Sequence, residues 1–141
     1  MATIRSDKHT ENSIQEVVYS DITANMDIHP NTGDLFRITN TNAIKRAIRN
    51  LILTNKGERF YQPNLGGNIT HDLFEQITVE TQHQITTQIE DTLKNFEPRA
   101  SLIEVVVQPQ SDKNGVNILI VYSIVNVTQQ QTLNIFIERI R

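Results

Sequence analysis

With 141 residues, 38% of them hydrophobic and 21% charged, the chain has the size and composition of one soluble domain around a single core. Its formal net charge of -3 argues against charge-driven binding to nucleic acid or to an anionic membrane, both of which need a basic excess. Lacking cysteine, it can form neither a disulfide nor a thiolate metal site, which suits a reducing cytoplasm, and no apolar run approaches the ~20 residues that span a bilayer.

Residues 1–13 are polar and mixed in charge, with no repeat, alternation or signal-peptide core. They read as a flexible N-terminal tail ahead of one folded domain over 14–141. From 14 to 22, Val17, Val18, Tyr19 and Ile22 give the β-branched and aromatic enrichment of a short strand or extended arm. Asp27, Pro30, Asn31, Gly33 and Asp34 crowd turn chemistry into 24–39, which predicts a loop with at least one tight turn. Across 40–54 the period becomes helical: Ile44, Ala47, Ile48, Leu51 and Ile52 recur at spacings of three and four, with Lys45, Arg46 and Arg49 opposite. Thr41 or Asn42 can cap the start of this helix and Gly57 can close its end.

Three of the five glycines fall in 54–69, between two apolar-periodic segments, so this stretch predicts a shaped corner built on Gly57, Glu58, Arg59, Pro63 and Gly66. Phe60, Tyr61 and Leu65 are expected to give the loop its own apolar anchor, Arg59 to find a carboxylate, and Asn68 to cap the next helix. That helix is a turn or two over 69–74, with Leu73 and Phe74 inward. Thr78 opens a longer one with Ile85, Ile89, Leu93 and Phe96 on one stripe, and Glu90 and Lys94 spaced for a surface pair. Pro98 ends it, because the residue before a proline is pushed out of helical space.

The last forty residues change to period two. A β-rich run over 102–107 leads through a turn at 109–115 to an alternating strand over 116–125 that is apolar on both faces, and so reads as central and covered twice. A second polar turn at 128–131 precedes an alternating strand over 132–140. The fold class is therefore α+β, with helices packed on a C-terminal three-stranded antiparallel β-meander over 101–141.

Catalysis has little to stand on. Glycoside hydrolysis needs two carboxyls about 5 to 9.5 Å apart across a cleft, one in an apolar setting. Glu58, Asp72, Glu75, Glu90, Asp91 and Glu97 specify no such pair. His71 and Glu75 have ligand spacing on a helix but no third ligand, so no metal and no cofactor is expected. Lys45, Arg46, Arg49, Lys56 and Arg59 could form a basic strip, but no aromatics are interleaved as in a nucleic-acid surface. Two features point to partners instead. The sequence Glu97-Pro98-Arg99 fixes two opposite charges at a helix-to-strand junction, either as a local ion pair or as a dock. The terminal strand leaves a row of backbone groups unpaired, either guarded by Arg139 and Arg141 as gatekeepers or open to extension by a partner strand.

The corner Thr54-Asn55-Lys56-Gly57-Glu58-Arg59, with Pro63, Leu65-Gly66 and Asn68-Ile69, resembles the small baseplate-wedge, or sheath-initiator, proteins of contractile-tailed phages, whose relatives include type VI secretion and bacteriocin baseplate subunits. Tyr19-Ser20-Asp21-Ile22, His29-Pro30, Thr32-Gly33-Asp34-Leu35, Asn50-Leu51-Ile52-Leu53 and Glu97-Pro98-Arg99 match the same pattern in order. Members often carry a proline after the arginine matching Arg59, where this chain has Phe60. The resemblance implies a non-enzymatic virion tail subunit, assembled in the host cytoplasm and present in sixfold copies. It implies docking on other wedge subunits through Glu97, Pro98 and Arg99, and pairing of Leu133, Asn134, Ile135, Phe136, Ile137 and Glu138 with tail sheath protein, with the tail tube or hub nearby. On this view, removing 132–141 leaves a folded domain that cannot start a sheath. The alternative is a lysozyme-like, tail-associated peptidoglycan glycosidase, since the family has carried that label.

Overall fold

The computed structural model describes residues 19–139 apart from 24, 74–76 and 126. The proposed tail, Val17, Val18, Phe74, Glu75, Ile140 and Arg141 lie outside the described residues. Period-two and period-3.6 apolar faces meet in one cluster. Ile44, Ile48, Leu51 and Ile52 from helix α1 (Asn40–Leu53), Ile69 and Leu73 at the short helix α2 (Ile69–Asp72), and Ile85, Ile89 and Leu93 from helix α3 (Val79–Phe96) pack on one face of a sheet. That face presents Val107 from β3 (Ala100–Gln110), Val116, Ile118, Ile120, Tyr122 and Ile124 from β4 (Gly115–Ile124), and Leu133, Ile135 and Ile137 from β5 (Val127–Glu138). Each such fully buried aliphatic side chain contributes about 1.5–3 kcal/mol relative to exposure.

The three strands run antiparallel in the order β3-β4-β5, so the α+β meander is present and β4 is central. Its second face is not covered as expected. Asn117, Leu119, Val121 and Ser123 are only half-buried, and none belongs to the core cluster. The strands are also longer than their apolar runs. Pro109 and Gln110 pair with Val116 and Gly115, and the turn is a single 3-10 turn at Ser111–Lys113 followed by Asn114 at φ +47°. The predicted turn at 128–131 is strand: Gln130 and Gln131 pair with Ser123 and Tyr122, and the chain reverses between Ile124 and Val127. Polar residues suit this end of the ribbon because its second face meets no core.

Two further expectations fail ahead of α1. Within 24–39, taken as loop, Arg37–Thr39 forms strand β2, which pairs antiparallel with β1 (Ser20–Ile22), and Ile28 bridges Leu35. The tight turn is there, with Gly33 at φ +68° and its N–H donating to the His29 carbonyl at 2.9 Å. Thr39, not Thr41 or Asn42, stands at the N-cap, and Asn40 takes φ +49°. Tyr19 holds it there: Asn40 N–H donates to the Tyr19 carbonyl at 2.7 Å, and Tyr19 N–H donates to Asn40 Oδ1 at 3.3 Å. A short polar side chain tolerates this left-handed conformation better than an apolar one would. On α3 the stripe holds for Ile85, Ile89 and Leu93, but Phe96 is exposed, and Thr81 and Thr92 take buried places on the packed face. Thr78 Oγ1 accepts from Thr81 N–H at 3.3 Å and caps the helix as its sequence suggests. Glu90 and Lys94 form no ion pair.

Candidate functional site

Three places carry the residues singled out from sequence. At the corner, Gly57 adopts φ +83° and donates its N–H to the Pro63 carbonyl at 2.8 Å, while the Glu58 carboxylate accepts Asn55 N–H at 2.9 Å. Gly66, at φ +100°, lies so close to Thr54 that a Cβ would fall 2.1 Å from its carbonyl oxygen. Helix α3 holds the corner from behind. Gln88 Oε1 accepts Asn68 N–H at 3.2 Å, Gln88 Nε2 donates to the buried Asp72 carboxylate at 2.7 Å, and Thr92 Oγ1 donates to the Gly66 carbonyl at 3.4 Å. Asn68 caps α2 through its carbonyl, which accepts from His71 and Asp72, and not through its side chain. Leu65 packs on the core, but Phe60 and Tyr61 do not: they are 99% and 100% exposed, contrary to the expected apolar anchor. Arg59 has no carboxylate partner among the described residues.

At the junction, Glu97 closes α3, its N–H donating to the Leu93 carbonyl at 2.9 Å, and its carbonyl accepts Ala100 N–H at 3.1 Å across Pro98. The Glu97 carboxylate is 5% exposed and takes a two-pronged contact from Arg99, with Nε at 2.5 Å and Nη2 at 2.8 Å. The hydrogen bond to Glu97 pushes the Arg99 guanidinium pKa above its ordinary value, so its charge is permanent. The guanidinium also sits 5.5 Å from the Tyr19 ring centre and keeps 40% of its side chain exposed. The local pair therefore exists, and it leaves Arg99 as the member that reaches solvent. Sequence gave no hint that Tyr19 lies beneath it, because the two are eighty residues apart.

On β5, Leu133, Ile135 and Ile137 point into the core and Asn134, Phe136 and Glu138 face outward. The Phe136 ring lies over Gly115, where a Cβ would clash with it at 2.6 Å, and Lys113 Nζ stands 5.9 Å from the ring centre. Antiparallel ladders alternate bonded and non-bonded residue pairs. Arg139 N–H donates to the Asn114 carbonyl at 2.9 Å and Val125 N–H to the Arg99 carbonyl at 3.0 Å, and these two bonds fix the phase. Even-numbered residues of β4 bond toward β5 and odd-numbered ones toward β3. The outward backbone groups of β5 then belong to Gln130, Thr132, Asn134, Phe136 and Glu138, and those of β3 to Val105, Val107 and Pro109.

The two sheet edges are thus unlike. The β3 edge has a bulge at Ile103 between Leu102 and Glu104 and sets Pro109, which lacks an N–H, at an outward position. Those devices blunt an edge. The β5 edge has no proline; its one register shift lies at its start, between Val127 and Gln130, so that over 131–138 the pairing is regular, and among the described residues no strand pairs with its outer side. The junction is level with the start of β5, since Ala100 pairs with Ile124 and Ile124 with Val127. Residues 133–138 begin at the Ile120 row, four rows further along β4 and about 13 Å away at ~3.3 Å per residue. The structure therefore separates the two proposed contact sites along the sheet.

Among the described residues, the carboxylates considered for catalysis do not form a cluster; Glu75 lies outside them. Glu58, Glu90 and Asp91 are exposed, and the two buried ones, Asp72 and Glu97, are bonded to Gln88 and Arg99. Among the described residues no group of three or more acidic or histidine side chains is placed to hold a metal ion.

A family model described as baseplate wedge protein gp25 matches residues 39–129. Over 109 residues the chain is 31% identical to baseplate wedge protein gp25 of Enterobacteria phage T4, covering 77% of this chain and 82% of that protein. A solved structure described provisionally as a tail lysozyme, from Geobacter sulfurreducens, has a TM-score of 0.66 at 25% identity, over 71% of this chain and 91% of that one. A chain of the sixfold-symmetrised anti-feeding prophage baseplate has a TM-score of 0.61 at 23% identity, over 87% of each chain. A chain of the type VI secretion baseplate complex has a TM-score of 0.56 at 16% identity, over 69% and 93%. The last two likenesses show a shared fold.

Proposed function

The chain belongs to the baseplate wedge protein gp25 family, and from that premise we propose that it starts the sheath of a contractile tail by offering the open edge of β5 to a strand of the sheath protein. As a baseplate wedge protein it is a structural component of the virion tail. The added strand would hydrogen-bond to the outward groups of Thr132, Asn134, Phe136 and Glu138, with the buried side chains of Leu133, Ile135 and Ile137 fixing the strand that receives it. Docking on neighbouring wedge subunits would run through the junction, where Glu97 holds the Arg99 fork against Tyr19 and Pro98 sets the backbone. Sixfold copies around a tube or hub would then give the sheath a ring of starting edges. The work is assembly, without chemical turnover.

The observation that carries this reading is the contrast between the two edges, one blunted and one left open. Its test uses two prolines. Asn134→Pro removes an outward N–H and spares the ladder, so the variant should fold and join wedges while sheath nucleation falls. Ile135→Pro removes a bond to β4 and should unfold the chain. Counting sheathed tails by electron microscopy beside melting curves separates the outcomes, and normal sheath growth from Asn134→Pro would sink the proposal. The glycosidase alternative gains nothing from this geometry, because the two carboxylates buried among the described residues, Asp72 and Glu97, already have partners within the fold.

A further inference from the structure

Phe60 and Tyr61 occupy the two central positions of a turn that Gln62 N–H closes on the Arg59 carbonyl at 3.2 Å. Among the described phenylalanines and tyrosines these two are the most exposed. A buried aromatic covers 150–250 Å² and is a large stabilising element, so two left wholly in water contribute nothing to this fold. Their mount is nevertheless firm. The Gly57–Pro63 bond closes the loop beneath them, Glu58 ties its carboxylate to Asn55, and Gly66 seats against Thr54. Lys56 and Arg59 flank the pair, and among the described residues neither has an ion-pair partner.

We propose that the 56–61 tip is a plug for another protein chain of the tail: Phe60 and Tyr61 enter an apolar pocket whose rim carries carboxylates that receive Arg59 and Lys56. Aromatics and arginine dominate the energetics of protein interfaces, and a turn already ordered in the free chain loses little freedom on docking. A bilayer or nucleic-acid surface fits less well. Those partners reward a basic excess, whereas this tip has two cations with Glu58 between them, on a chain of net charge -3. The inference rests on the wedge assignment only for where the partner is found.

The test is photocrosslinking in assembled tails, with benzoylphenylalanine installed at Phe60 in one preparation and at Asn134 in another. Position 60 should form a covalent product with a single other tail protein, at a peptide containing Asp or Glu, and adding Arg59→Glu should lower that yield on the order of tenfold while the product from 134 is unchanged. A product from 134 with none from 60, or one from 60 with lipid, nucleic acid or a second copy of this chain, overturns the plug and leaves the β5 reading standing. Silence at both positions contradicts both. In parallel, Phe60→Ala with Tyr61→Ala should leave the melting temperature unchanged and weaken incorporation on the order of 30-fold. A large fall in melting temperature would show instead that the pair serves the fold.

Discussion

Single residues carry strain and desolvation that can be measured one at a time. Gly66 combines φ +100° with a Cβ position 2.1 Å from backbone, so Gly66→Ala must shift either the corner or the end of α1. The expected loss is several kcal/mol, read as a fall in denaturation midpoint, against about 1 kcal/mol or less for Gly57→Ala, where the space is open and only the backbone conformation resists. Tyr122 is a different case. Its hydroxyl is buried without a hydrogen-bond partner among the described residues, and burial pushes the phenol above its ordinary range. The folded state thus holds the proton more tightly than the unfolded state does. That contribution is complete below about pH 10 and is lost as pH rises toward the folded value. Tyr122→Phe should flatten this alkaline loss and, at neutral pH, be neutral or stabilising by up to about 1 kcal/mol. Equilibrium unfolding at pH 7 and above pH 10 checks both signs.

Elements differ in how far their sequences announce them. Helices α1 and α3 are legible because an apolar stripe at 3.6-residue spacing has one solution, and the register of β4 is legible because strict alternation over Val116, Ile118, Ile120, Tyr122 and Ile124 has one as well. The β1–β2 ribbon is not. Each strand is three residues long, and the two are held together by pairing across a loop and by Asn40 clasping Tyr19, none of which has a local signature. Gln129, Gln130 and Gln131 read as turn because a polar run resembles irregular chain, yet they extend a strand whose second face is solvated. Phe60 and Tyr61 read as an apolar anchor for the loop because aromatic residues usually find cover. The difference in edges was half legible: the terminal strand was readable as open, but Pro109 became a guard only once the ladder phase showed which way its nitrogen points. Packing also corrects one expectation about β5. Leu133, Ile135 and Ile137 belong to the core and pair with β4, so deleting 132–141 should abolish cooperative unfolding by circular dichroism, not leave a folded domain.

At the scale of the whole molecule, a helical layer and one sheet face make the core, and the outward features lie apart: an aromatic tip at the corner, an arginine held at the junction, and a strand edge with no partner among the described residues. The arrangement suits a subunit that is complete as a fold and unfinished as a sheet. The measurement that tests this most directly is residue-resolved amide hydrogen exchange on the isolated chain and on baseplates with sheath attached. In the isolated chain, Asn134, Phe136 and Glu138 should exchange quickly while Leu133, Ile135 and Ile137 are protected. In the assembled tail, the even-numbered amides should become protected as well. If they are already protected in the isolated chain, or still exchange freely beneath a complete sheath, β5 is not the edge from which the sheath grows.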